Sequence, residues 1–273
     1  MKVAILGPKG TYSEIACIKY LEEKNLNYEM VYYNSIDEAV HSLNSECDFA
    51  IVPIENTLDG YVQKTLDLLL EDNITVIDQL SIKVSFKLVS NEKIEQVRKI
   101  YAQFKAINQC VNFINKIPNV KIINTESNII SYELWNESKK FSASIVPTHL
   151  KTNAIYEIDD ITDSNNNYTR FFVLSKNSKM EEYDDLMRIP LYIIPLTEHP
   201  GLLYEILKVF NDYKINLTSI LSRPKKVIMG EYNFYLEIEA TKQQLYNFLH
   251  HVDSTNTKFK IKILGKLKEN NNG

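Results

Sequence analysis

Cysteine is rare in this chain and scattered. Cys17, Cys47 and Cys110 are the only three, far apart and without CxxC spacing. An odd count placed this way excludes a disulfide framework and a cysteine-based zinc site. Five histidines occur, two of them adjacent (His250, His251), and none stands in HxxxH spacing, so no metal site is expected. Long hydrophobic runs are missing as well. No apolar stretch approaches the ~18 residues of a membrane span. Val3 to Leu6, directly after Met1-Lys2, is too short for a signal-peptide core. A cytoplasmic location is the expectation. The net charge of −4 predicts no general attraction to nucleic acid or an anionic membrane. No long internal repeat or low-complexity tract is present. Glycine is the last scarcity, with seven in 273 residues. Each one then marks a backbone position that a side chain would obstruct, which directs attention to the loops around 7–11, 59–60 and 200–201.

What remains is 44% hydrophobic and 24% charged, a soluble composition with room for two cores. Val3 to Leu6 reads as a buried parallel strand and GPKGT as a turn. Ser13 opens a helix with Ile15, Ile18 and Leu21 on one face. Met30 to Tyr33 is a second strand, and Ser35 with Glu38 forms a capping box before Ile36, Val40 and Leu43. Phe49 to Ile54 is a third strand, followed by the loop ENTLDG and a helix with Val62, Leu66 and Leu69 inward. Three β-α repeats point to a doubly wound α/β unit.

Leu80, Ile82, Val84, Phe86 and Leu88 alternate strictly, as in one long strand that crosses into a second lobe. A helical stretch over about 94–116, a strand VKIIN, a helix through Trp135 and a strand FSASIV complete that lobe. Thr169 to Leu174 re-enter the first. The expected first domain is 1–178, with lobe 1 near 1–78 plus 165–178 and lobe 2 near 79–164. A cleft between two such lobes is the usual place for a ligand. Lys176 to Arg188 is a polar, acidic linker. A βαββαβ order follows over 188–266, that of a ferredoxin-like module. Its first helix is expected to bury Leu203, Ile206, Leu207 and Phe210, and the tail KENNNG to be disordered.

The stretches GPKGTYSEIA, VPIENTLDGYVQKTLDLL and NNYTRFFVL occur in this order, followed by HPGLLYEIL, INLTSILSRP and GEYNFYLEIE. Together they resemble prephenate dehydratase with a C-terminal ACT regulatory domain, over nearly the whole chain. The resemblance implies a two-lobed, periplasmic-binding-protein-like α/β catalytic domain and conversion of prephenate to phenylpyruvate. It also implies feedback inhibition by phenylalanine, and a homodimer or homotetramer. No cofactor is implied, because aromatisation of the ring drives loss of carbon dioxide and hydroxide. The demands on the protein are to hold a dianion and to assist a poor leaving group. The helices expected after Gly10-Thr11 and Asp59-Gly60 would offer free N–H groups to an anion, with Lys9 as an added cation or simply solvated.

The resemblance makes Thr169 the residue that assists departure of the hydroxide. Asn56 and Gln109 are its catalytic companions. Thr11, Ser13, Thr57, Arg170 and Ser127 are candidates for substrate binding. Plainer readings stand beside these. Arg170 can pair with Glu55 or Asp163, Thr11 and Ser13 can cap a helix, Glu55 can be a buried orienter, and Gln109 can be an exposed mid-helix glutamine. The effector set is Gly201, Leu202, Leu221, Ser222, Arg223 and Pro224. Two segments depart from the family pattern. Ala102 to Lys105 replace Ser-His-Pro-Gln, and Leu221 stands where relatives carry Glu. A catalytically weak phenylalanine-binding regulator, an arogenate dehydratase and a solute-binding protein are the competing readings.

Overall fold

The computed structural model describes residues 1–43, 45–138, 140–225, 230–255 and 258–268. The tail expected to be disordered lies, from residue 269 on, outside the described residues. The first lobe contains β1 (Lys2–Leu6), α1 (Tyr12–Glu23), β2 (Glu29–Tyr33), α2 (Ile36–His41), β3 (Phe49–Asn56), β4 (Gly60–Tyr61), α3 (Gln63–Leu68) and β5 (Ile74–Lys83). The second contains β6 (Phe86–Ser90), β7 (Lys99–Gln103), α4 (Phe104–Gln109), α5 (Val111–Ile114), β8 (Lys121–Thr125), α6 (Asn128–Ser138), β9 (Ser142–Pro147) and β10 (Tyr156–Ile158). β11 (Tyr168–Lys176) returns to the first sheet. A third unit holds β12 (Met187–Pro195), α7 (Leu202–Asp212), β13 (Asn216–Pro224), β14 (Tyr232–Ala240), α8 (Lys242–Thr255), β15 (Phe259–Ile263) and β16 (Leu267–Lys268).

The first sheet runs β2-β1-β3-β11-β5, with β4 beside β3, and the second runs β10-β6-β9-β7-β8. β1, β2 and β3 are parallel, and β11 is antiparallel to both its neighbours. The strand expected from Leu80 to Leu88 is broken. β5 stays in the first sheet to Lys83, and the crossing falls at Val84-Ser85 rather than near 78. All five alternating residues are still buried, because the covered face continues across the break. The helix expected over 94–116 is also corrected. Lys99–Gln103 form β7, between β9 and β8 of the second sheet, and two short helices follow.

α1 turns a different face inward from the one its aliphatic residues suggest. Ser13, Ala16, Cys17 and Tyr20 are buried, whereas Ile18 is exposed. Small side chains at that spacing let the helix lie close on the sheet. The capping box at α2 forms as expected, with Glu38 N–H donating to Ser35 Oγ at 3.2 Å. In α7, Ile206 and Phe210 are buried as expected, Leu207 is half-buried, and Leu202 is buried in place of Leu203, which is exposed.

The third unit has the sheet order β13-β14-β12-β15 and buries one face under its helices. The other face lies on the first lobe. Tyr192, Tyr235, Leu264 and Leu267 share a core cluster with Val52, Leu66, Leu69 and Val76. Tyr192 donates to Leu66 O at 2.8 Å, and Val76 N–H donates to Leu264 O at 2.7 Å. A Cβ at Gly265 would stand 2.2 Å from Val76 O, so only glycine permits this approach.

Candidate active site

Parallel strands β1 and β3 deliver the loops that follow them to the same edge of the first lobe, the usual ligand side of an α/β sheet. β3 ends at Asn56, which pairs with Thr169 at the start of β11. Asn56 is buried. Its Oδ1 accepts the N–H groups of Leu58 and Asp59, both at 3.0 Å. That fixes the orientation of its amide. Nδ2 is left to donate to Thr169 Oγ1 at 3.0 Å, Asn167 Oδ1 at 3.0 Å and Tyr168 O at 3.1 Å. Asn167, fully buried, must then turn its own Nδ2 toward the second lobe, where it donates to Gln109 Oε1 at 2.7 Å.

The directions of these bonds decide what the network can do. Thr169 Oγ1 and Gln109 Oε1 are both used as acceptors. The Thr169 hydroxyl proton and the Gln109 amide Nε2 have no protein acceptor among the described residues. Two donors are thereby left free, held from behind by neutral groups. Such donors can stabilise negative charge that develops on a bound molecule. Gln109 is not an exposed mid-helix residue. It is the last residue of α4 and is buried.

The prephenate dehydratase family model matches residues 3–179. The chain belongs to the prephenate dehydratase family. The prephenate dehydratase of Methanocaldococcus jannaschii is 32% identical over 266 residues, covering 95% of each chain. Among solved structures, prephenate dehydratase from Arthrobacter aurescens in complex with L-Phe superposes with a TM-score of 0.84 at 24% identity, over 98% of this chain and 90% of that one. GqqA, described as a quorum-quenching acylase, has a TM-score of 0.80 at 17% identity, over 99% of each chain. The fold alone therefore does not choose an activity, whereas the sequence family does. The family is one of carbon–oxygen lyases.

The remaining expected site residues are distributed as follows. Thr57 Oγ1 donates to Asn166 O at 2.7 Å and accepts from Tyr168 N–H at 3.0 Å, so it staples the loop after β3 to the start of β11. Thr11 is the residue before α1, but its hydroxyl turns back to Leu6 O at 3.3 Å. Ser13 is buried in the first turn, with no hydrogen-bond partner among the described residues. The Gly10 N–H, expected to be free for an anion, is taken by Glu14 Oε2. Ser127 Oγ accepts from Ile130 N–H at 3.1 Å at the start of α6. The Lys9 ammonium lies 5.7 Å from the centre of the Tyr32 ring. The loop after Asn56 enters β4 before α3 begins at Gln63, so no helix starts directly at Gly60.

Arg170 is a correction. Side chains alternate along a strand, so Arg170 leaves β11 on the face opposite Thr169. It binds Glu55 Oε2 at 2.8 Å, as one reading allowed, and also Glu237 of the third unit. With its guanidinium buried between two carboxylates, it does not serve a ligand in the cleft. In the effector set, Leu202 is buried in the third unit's core, and Leu221 packs against the first lobe's cluster. Arg223 binds Asp67 Oδ1 of α3 at 2.6 Å. Pro224 is the last residue of β13 and pairs with Tyr232. Gly201, Ser222 and Pro224 are exposed.

Three residues near the lobe boundary escaped the sequence reading. Asn167 sat in a run of asparagines that signalled only a loop, although it lies two residues before Thr169 and so on the same strand face. His149 Nε2 lies 3.2 Å from Gly10 O, and its ring packs edge-on to Tyr12 at 5.0 Å. Burial lowers the pKa of His149 from its ordinary value. Tyr12 donates to Ser85 O and accepts from Ser85 N–H at the point where the chain changes lobe. Gly10, at φ +82°, makes room for this junction. A Cβ there would stand 2.6 Å from Ile129 Cδ1 of α6.

Proposed function

We propose that this chain dehydrates and decarboxylates prephenate to phenylpyruvate, and that its third unit is an ACT module through which phenylalanine inhibits the reaction. The observation that carries the first part is the Thr169–Asn56–Asn167–Gln109 network. Departure of hydroxide and carbon dioxide leaves an aromatic ring, so the reaction needs no nucleophile from the protein. It needs a donor at the oxygen that gathers negative charge. Thr169 is that donor in this reading, with Asn56 holding its oxygen and thereby keeping its proton directed outward. One preorganised donor of this kind is worth about 3–4 kcal/mol of barrier.

Gln109, joined to the same network from the second lobe, supplies an amide donor for a substrate carboxylate. Ser13 in the first turn of α1 is the next candidate. Binding of this kind depends on both lobes, so the substrate itself helps to hold them together. No positively charged pocket is required, which is consistent with a net charge of −4.

The βαββαβ order supports an ACT reading, as does the phenylalanine bound to the Arthrobacter aurescens relative. β13 is the outer strand of its sheet, with Ile220 exposed, which supports pairing of two copies along that edge. In this reading the effector contacts are reduced to Gly201, Ser222 and Pro224, because Leu221 and Arg223 are engaged with the chain's own first lobe.

The deciding experiment is an assay of purified protein for phenylpyruvate formed from prephenate, with arogenate as the competing substrate and phenylalanine as the added inhibitor. Turnover of prephenate inhibited by phenylalanine is the expected result. No turnover of either substrate, with phenylalanine still bound, would instead leave a regulator built on the same fold.

A further inference from the structure

Glu237 sits in β14 at a position where alternation predicts a solvent-facing side chain. It is 2% exposed. The polar face of β14 is in fact turned onto the first lobe, and Glu237 meets Arg170 there in a two-pronged contact. Nη1 donates to Oε2 at 2.7 Å and Nη2 to Oε1 at 2.5 Å. Tyr235 and Tyr61 donate to the same carboxylate at 2.8 and 3.2 Å. Arg188 Nε stands 3.9 Å away. Burial opposes ionisation of Glu237, but hydrogen bonds from Arg170 and its charge prevail and hold the carboxyl below its ordinary range.

The place where this pair acts is specific. Arg170 lies opposite Glu55, Thr169 lies opposite Asn56, and the ladder shifts register between Arg170 and Phe171. At such a bulge the backbone pairing is locally interrupted and a side chain can be re-aimed. The extra residue is Ile54 of β3, whereas β5 pairs with β11 without a shift from Tyr168 to Val173, so the looser side of Thr169 is the one that faces β3 and Asn56. On that side a further restraint comes from Arg170, which is gripped by Glu55 of β3 and by Glu237 in the third unit.

We propose that Glu237 is a positioning residue for Thr169. By clamping Arg170 it fixes β11 against β3 beside the bulge, and so fixes the distance between Thr169 Oγ1 and the Asn56 amide. This rests on the proposed role of Thr169 and extends it across a domain boundary, since the third unit then completes the scaffold of the site. Any displacement of that unit reaches Thr169 through the same pair.

The test uses the full chain with Glu237→Gln, which keeps the shape and removes the charge, and Glu237→Asp, which keeps the charge. Turnover of prephenate, melting temperature and hydrogen exchange of the segment 166–171 are measured for each. A displacement of about 1 Å at a catalytic group can cost roughly a hundredfold in rate, and smaller ones cost less. Glu237→Gln is expected to lower kcat by about tenfold or more while KM stays within about twofold. It should speed exchange at 167–170 without speeding it in the second lobe, and Glu237→Asp should recover most of the kcat. Wild-type kcat together with wild-type protection at 167–170 overturns the proposal, and so does loss of protection across the whole chain. If Glu237→Gln does not fold, Tyr235→Phe removes one hydrogen bond from the same carboxylate. It should give a smaller fall in kcat with the same local exchange, and wild-type behaviour there also overturns the proposal. A wild-type chain that does not turn over prephenate refutes the functional reading, and the exchange comparison alone then decides whether Glu237 positions Thr169.

Discussion

Thr169 and Arg170 are neighbours in sequence, yet they look into different parts of the molecule. Thr169 faces a network made only of amides and a hydroxyl. Arg170 faces two carboxylates and a tyrosine, with its pKa above the ordinary value because the hydrogen bonds and charge of Glu237 offset burial. Neutral groups can be oriented closely without a large desolvation cost, and they keep their hydrogen bonds across the physiological pH range. Charged groups bind more strongly once paired, but each is costly if its partner is removed. One strand thus carries the proposed site on one face and a joint on the other, and the two faces should fail in different ways.

The largest expected effect is on the charged face. Arg170→Ala leaves Glu237 buried without its main partner, and breaking such a pair costs about 3–5 kcal/mol. Calorimetry should show a melting temperature well below that of the wild type. An unchanged melting temperature would mean that Arg170 is not structural and would reopen its role at the substrate.

Thr169→Ala is next, and it should separate the two faces cleanly. The expected result is a fall in kcat of about a hundredfold or more with a melting temperature close to the wild type. A wild-type kcat would remove the neutral network from the mechanism. Asn167→Asp is a finer cut. The ionised carboxylate still offers an oxygen to Asn56 but has no hydrogen for Gln109, and its buried charge adds to the cost. Leaving one buried acceptor unpaired costs roughly 1–3 kcal/mol, so both stability and turnover should fall modestly. If only stability falls, Gln109 acts in folding and not in turnover.

The neutral half of this comparison was partly legible in the sequence, and the charged half was not. Asn56 and Thr169 fall in short motifs whose order survives, and the resemblance named Gln109, so the structure had only to bring them together. Asn167 was readable by strand period alone. Glu237 was not, because alternation reports which residues share a face and not what covers that face. The helices lie over one face of β14, and the first lobe lies over the other. β7 escaped for a similar reason. Ile100 and Ala102 are its only fully buried residues, too few to signal a strand between polar neighbours. Leu221 was read against a family pattern as a loss at an effector site, whereas its packing on the first-lobe core gives an apolar residue there a local purpose.

Acid should distinguish the faces without any mutation. Glu237 has a folded pKa below the ordinary carboxylate value, so its contribution is present above the unfolded pKa of about 4.3 and is lost as pH falls through the lower folded value. Docking of the third unit should therefore weaken only below about pH 4, and Glu237→Gln should remove that part of the acid transition. Above it, the Thr169 network has no group to titrate. His149 alone near the Gly10 loop has a lowered pKa, so stability should begin to fall as pH drops below the ordinary histidine value of about 6.5. A steep loss of stability near neutral pH that persists in His149→Gln would contradict this assignment.

The smallest effect is expected where the two lobes touch at the surface. Lys105, within the segment that departs from the family pattern, reaches across from α4 to Asp59 at 3.1 Å. Lys105 is 60% exposed and Asp59 35%, in side-chain terms, and such a pair is worth about 0–1 kcal/mol. Lys105→Gln should leave the melting temperature and kcat near wild type. Its effect should lie in KM, because the change removes one positive charge and frees one negative charge beside the loop that carries Asn56, and the proposed substrate is a dianion. A charge change of this size at an exposed site corresponds to a rise in KM of about two- to fivefold at low salt, fading as added salt screens it. A salt-independent rise would show that Lys105 touches the substrate directly. No rise at all would place the pair outside the binding path, and lobe contact would then rest on Gln109 with Asn167 and on the junction around Gly10.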